Sequence, residues 1–123
     1  MLQAQKVQSE GHGLSFKSLQ DTMKELNHTR IDYLKFDIEG SEWELLAVIL
    51  ALPTHQLLWS IMFELHTEGA NPKAVPPATV AGKHRKEVNK LVLKRFDRGY
   101  GILDFTINPF DRACAEFSLV LTE

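Results

Sequence analysis

Asp37 and Glu39 stand two positions apart in this chain, and so do Glu64 and His66. On an extended backbone, residues two apart share a face, so each pair could aim both groups at one ligand. Three carboxylates and an imidazole support two kinds of chemistry. An imidazole changes charge near neutral pH and can take a proton from a substrate while carboxylates orient it. Imidazole and carboxylates can instead hold a hard divalent metal; the residue pattern alone assigns none. Bland readings compete with both. Lys35 lies two positions before Asp37 and could simply neutralise it, since an unpaired buried charge is costly. His66 could be a strand-end imidazole bonded to backbone.

The elements around these residues explain why they would meet. Ile31 to Ile38 is rich in β-branched and aromatic residues and reads as a strand. Gly40 supplies a tight turn, because glycine adopts left-handed backbone angles freely. Ser41 with Glu44 matches the S-x-x-E capping box of a helix start. Leu45, Leu46, Ile49 and Leu50 then follow at helical spacing, and Pro53 ends the helix. Asp37 and Glu39 therefore fall at the carboxyl end of a strand, the edge where open α/β sheets bind ligands. Trp43, in the first helical turn, would wall a pocket there or merely pack. Gln56 to His66 is a nearly continuous apolar run, which predicts a second strand covered on both faces and ending in Glu64 and His66. The helix between the two strands makes a crossover, so they should pair in parallel.

Ser15 can cap a helix over 16–26 with Phe16, Leu19, Met23 and Leu26 on one face. The segment from Thr67 to Gly82 holds three prolines and two glycines and reads as a functional or poorly ordered loop. Lys83 to Asp97 is an amphipathic helix with Val88, Leu91, Val92 and Phe96 on its apolar face. Arg85, Lys86, Lys90, Lys94 and Arg95 make up its basic face. Two short strands, 102–107 and 115–121, follow across the turn at Asn108 to Arg112 and should be antiparallel. The alternation predicts an α/β fold, a mostly parallel sheet with an antiparallel C-terminal hairpin.

The chain has 123 residues, 44% of them hydrophobic, and a formal net charge of −2. This bounds one domain with a core and gives no global electrostatic case for nucleic acid. Cys114 is the only cysteine, so no internal disulfide forms. No apolar run approaches the length of a membrane span. The compartment is not legible.

The run IDYLKFDIEGSEWELL, Ile31 to Leu46, resembles the I-D-x-L-K-x-D-x-E-G-x-E signature of FkbM-type S-adenosylmethionine-dependent methyltransferases. It is most similar to the animal methyltransferase-like branch, where a Trp often follows the last Glu. The resemblance implies a Rossmann-like class I methyltransferase sheet and S-adenosylmethionine as cofactor. It implies methyl transfer to an oxygen or nitrogen acceptor, which could be a small molecule, a glycan or a lipid. Asp37 and Glu39 would face the cofactor and acceptor, His66 or Asp37 would remove the proton, and Glu39 would orient. The order of elements resembles the carboxyl half of that domain. Residues 1–13 read as a lead-in and 14–123 as that half. Neither Gly11-His12-Gly13 nor Gly99-Tyr100-Gly101 sits between a strand and a helix, as a cofactor-binding glycine turn requires. A partial domain is therefore expected, binding S-adenosylmethionine weakly or not at all, and either self-associating through an unpaired sheet edge at 31–38 or only marginally folded. Two other readings are a non-catalytic α/β remnant acting as an interaction module and a metal-dependent hydrolase using Asp37, Glu39 and His66.

Overall fold

The computed structural model describes residues 17–122. The chain divides into two compact units, Met1–Arg30 and Ile31–Glu123. The first contains helix α1, Leu19–Glu25, capped by Ser18, whose hydroxyl accepts from the Asp21 N–H at 3.0 Å. The expected helix began earlier; Ser15 and Phe16 lie outside the described residues. No residue of α1 is fully buried; Leu19 and Met23 are half-buried and Leu26 is exposed.

The second unit is built in the order β1 (Tyr33–Phe36), α2 (Glu42–Leu50), β2 (Ser60–His66), α3 (Arg85–Asp97), β3 (Tyr100–Ile107) and β4 (Cys114–Leu121). These strands form one sheet in the order β1-β2-β4-β3. β1 and β2 are parallel, as the crossover through α2 requires, with Phe36 opposite Phe63. β4 pairs antiparallel with both β2 and β3. The sheet is thus mixed, with one parallel pair, and not mostly parallel. The reason is that the hairpin inserts: β4 turns back from β3 and lies against β2, so it makes two antiparallel ladders where one was expected.

The core lies between one face of the sheet and the helices over it. Phe36, Phe63, Phe117 and Phe105 stand in register across all four strands. The first three stack at centroid distances of 5.5 and 5.3 Å, and Phe105 meets Phe117 edge-on at 4.9 Å. Each such pair contributes about 0.5–1.5 kcal/mol beyond its buried area. Leu46 and Leu50 of α2 and Leu91 and Val92 of α3 line a small apolar space with Phe63 and Phe117. Along β2, Ile61, Phe63 and Leu65 are buried while Ser60, Met62 and Glu64 are half-buried. The apolar run therefore resolves into an alternating strand with one fully covered face, preceded by a 3-10 turn at Thr54–Gln56.

Two expectations for the second half are corrected. Phe96 is not on the packed face of α3 but 71% exposed. Arg95 is not part of a free basic face; its guanidinium donates to the Tyr100 carbonyl. The segment from Thr67 to Gly82 is a folded loop. Val75, Val80 and Ala70 form a small core with Cys114. Asp111 accepts from the Asn71 N–H at 3.0 Å, tying that loop to the β3–β4 turn. Among the described residues no helix is long and apolar enough to cross a membrane.

Candidate functional site

The parallel pairing of Phe36 with Phe63 puts the next residues, Asp37 and Glu64, side by side at the carboxyl edge. Beyond Asp37 the chain makes a strained turn. Glu39 adopts φ +54°, a left-handed conformation that costs a non-glycine residue about 1–2 kcal/mol. Gly40 follows at φ +105°, and a Cβ there would stand 2.1 Å from the Thr79 hydroxyl oxygen. Gly40 is therefore required both for its backbone angle and for the close approach of the 67–82 loop.

The turn is held by Glu42, a residue absent from the sequence-based candidates. Glu42 is 0% exposed. Its carboxylate accepts from the Ile38 N–H at 3.0 Å and from the Gly40 N–H at 3.0 Å. Ser41 makes no side-chain capping bond, so the expected Ser41–Glu44 box does not form. Glu42 does that work from inside the helix, reaching back to satisfy the turn that precedes it. One signal was available: Glu42 stands four residues before Leu46 and seven before Ile49, on the face that α2 buries.

Glu42 also accepts from His66. Its Oε1 lies 2.9 Å from His66 Nδ1. The backbone donors make Glu42 an acceptor, so Nδ1 is the donor and the lone pair of a neutral ring sits on Nε2. His66, whose side chain is 4% exposed, turns that Nε2 toward Asp37 at 3.8 Å and Glu39 at 3.7 Å. Both distances are too long for a hydrogen bond. The side chains of Asp37 and Glu39 are 44% and 48% exposed, so this acidic edge opens to solvent on one side. Trp43 holds the other end of the histidine: its indole N–H donates to the His66 carbonyl at 2.8 Å. α2 thus fixes both the ring and the backbone of His66.

Glu64 joins from the side. Its carboxyl is held above the usual carboxylate range, by burial first and then by its hydrogen bond with Asp37; Asn108 and His66 pull the other way. The neighbouring Asp37 carboxylate disfavours the charged form of Glu64. Cys114, paired with His66 in the sheet register, has its thiol pushed up to about 12 by burial and by Asp111, which makes it a poor nucleophile. The four residues expected at the edge therefore do meet. A cleft of about 500 Å³ runs between α2 and α3, with Gly40, Trp43, Leu50, Lys83 and Leu91 among its walls and none of the four edge residues. Lys83 lies 5.1 Å over the Trp43 ring.

An α/β unit with acidic groups and a held imidazole at the carboxyl edge of a parallel pair has the layout of a ligand-binding sheet edge. The family model of the FkbM methyltransferase domain matches residues 9–99, and the chain belongs to that family. The matched span contains β1, α2, β2 and α3 and all of Asp37, Glu39, Glu42, Glu64 and His66. No curated protein and no solved structure matches the chain.

Proposed function

We propose that the chain acts in methyl transfer from S-adenosylmethionine to an oxygen or nitrogen acceptor, with the carboxyl edge of β1 and β2 as the reacting site. Family membership implies a methyl donor. The observation that carries the site is the buried Glu42–His66 pair, with Nε2 turned to the exposed acidic edge.

The half-exposed carboxylates of Asp37 and Glu39 suit a cationic donor, since both open to solvent beside His66 and offer negative charge there. When bound, S-adenosylmethionine supplies a methyl group already activated on a positive sulfur. The chain's own part is then to position and to move one proton. As the acceptor oxygen or nitrogen bonds to the methyl carbon and the sulfur–carbon bond breaks, the acceptor must lose its proton. His66 Nε2 takes it, and Glu42 steadies the resulting imidazolium through Nδ1. Asp37 and Glu39 orient the reactants.

The test is transfer of labelled methyl from S-adenosylmethionine across a panel of hydroxyl and amine acceptors. A positioned base contributes about 10²–10⁴-fold, so His66→Gln should lose at least about 100-fold in kcat. Unchanged transfer in a folded His66→Gln variant overturns the assignment of the base.

A further inference from the structure

The large apolar side chains left exposed gather at the β3 end of the sheet. Ile102, Leu103, Phe105 and Ile107 of β3 and Leu93 and Phe96 of α3 are each between 41% and 72% exposed. On α3, Glu87, Lys90 and Lys94 line the cleft toward α2. With about 3.6 residues per turn, Leu93 and Phe96 stand on the other flank of that helix. At about 200 Å² for a whole residue of this size, the six expose roughly 700 Å², and Phe110 in the β3–β4 turn raises this to roughly 900 Å². The largest apolar patch of an ordinary monomer is about 300–600 Å². A stable protein interface takes about 800 Å² from each partner.

The backbone says what fits there. β3 has a strand neighbour on one side only, and an open strand edge is a template for another strand. The other open edge, β1, is four residues long and carries Lys35, a charge that discourages pairing. β3 is eight residues long, and its single charge is Asp104.

We propose that β3 pairs antiparallel with the β3 of a second copy, about a two-fold axis at Phe105, joining the two sheets into one. The register follows from side-chain direction. A two-fold axis through a continuous sheet sets residues of the same face opposite each other, so the pairing must centre on one residue. Centring on Asp104 would oppose two carboxylates directly, which is unfavourable. Centring on Thr106 would set Leu103 opposite Pro109, beyond the strand. Centring on Phe105 sets Phe105 against its own copy, Asp104 against Thr106 and Ile107 against Leu103. The row Phe36, Phe63, Phe117 and Phe105 then runs on into the second copy without a break. The bulge on β3 between Ile102 and Asp104 ends the regular ladder, and it does so at Leu103, the last residue this register needs. β1 lies at the far end of the sheet, with β2 and β4 between, so the pairing leaves the edge at Asp37 and His66 uncovered. The proposal therefore stands apart from methyl transfer.

Sedimentation of the full chain over a range of concentrations tests it. The expected result is a reversible monomer–dimer equilibrium. Leu103→Glu and Thr106→Asp each alter exposed positions and should leave the circular dichroism unchanged. Each should weaken the dimer at least about tenfold, because the axis repeats the change: one sets a charge against Ile107 twice, the other a carboxylate against Asp104 twice. Thr106→Lys sets opposite charges there and should keep or tighten the dimer. A wild type that sediments as a monomer wherever it stays soluble overturns the inference. So does a dimer that Leu103→Glu and Thr106→Asp leave intact, which would place the contact elsewhere, or assembly that grows past the dimer, which a closed two-fold forbids. Equal weakening by Thr106→Asp and Thr106→Lys overturns the register centred on Phe105.

Discussion

Replacing Glu42 by glutamine tests the organisation of the whole edge. The change keeps the shape and removes the charge. Oε1 receives both His66 Nδ1, at 2.9 Å, and the Ile38 N–H, at 3.0 Å, so the amide oxygen must take that place. The amide NH₂ then falls where Oε2 now accepts from the Gly40 N–H at 3.0 Å. A donor faces a donor, and the buried Gly40 N–H keeps only its longer 3.3 Å approach to Oε1. One hydrogen bond to a charged group is lost, at about 1.5–3 kcal/mol. The bonds that remain are weaker for the missing charge, so about 2–3 kcal/mol is expected in all. Glu44→Gln is the matched control, because it removes the same charge in the same helical turn at an exposed position. It should cost about 0.3–1 kcal/mol through the helix dipole alone. Urea denaturation followed by circular dichroism gives both values, provided the slopes agree with wild type. If Glu42→Gln is no more destabilising than Glu44→Gln, the buried carboxylate is not what holds the turn, and the account of His66 loses its anchor.

Gly40→Ala should lower the thermal midpoint, since the left-handed angle costs about 1–2 kcal/mol and the new methyl meets Thr79; adding Thr79→Ala should recover part of the loss, and no recovery would mean that the backbone angle alone is responsible. Asp111 is held below the usual carboxylate range, first by the Asn71 N–H and also by the Ala113 N–H. Because its folded value is depressed, the stability it contributes is present above the unfolded value near pH 4 and is lost as pH falls through the folded value. Wild type should therefore exceed Asp111→Asn in stability at neutral pH and approach it in acid; parallel pH–stability curves for the two would show that the Asp111 charge ties down nothing.

Much of the site was readable because its parts are local. A strand rich in β-branched residues, a glycine turn and a helix with one apolar face occupy sixteen consecutive residues, Ile31 to Leu46. Local spacing alone places Asp37 at a strand end. The parallel pairing that sets Asp37 beside Glu64 also followed, because a strand, a helix and a strand of these lengths can close in few ways. What could not be read depends on contacts between distant residues. The capping pattern at Ser41 and Glu44 was formally correct but lost to Glu42, because a carboxylate on the buried face of α2 must be satisfied and the turn N–H groups and His66 were within its reach. The 24 positions between Glu42 and His66 hide that pair from any local pattern. The insertion of β4 between β2 and β3 was likewise set by the sheet as a whole, which aligns Phe36, Phe63, Phe117 and Phe105 in one row. Phe96 shows the same limit in reverse: helical periodicity gave it a packed face, but in the fold it stays 71% exposed with the Arg95 guanidinium 5.9 Å over its ring. Sequence determined which groups could do chemistry and at which strand ends they stand. Tertiary structure decided which carboxylate is buried and therefore which nitrogen of His66 is left to react.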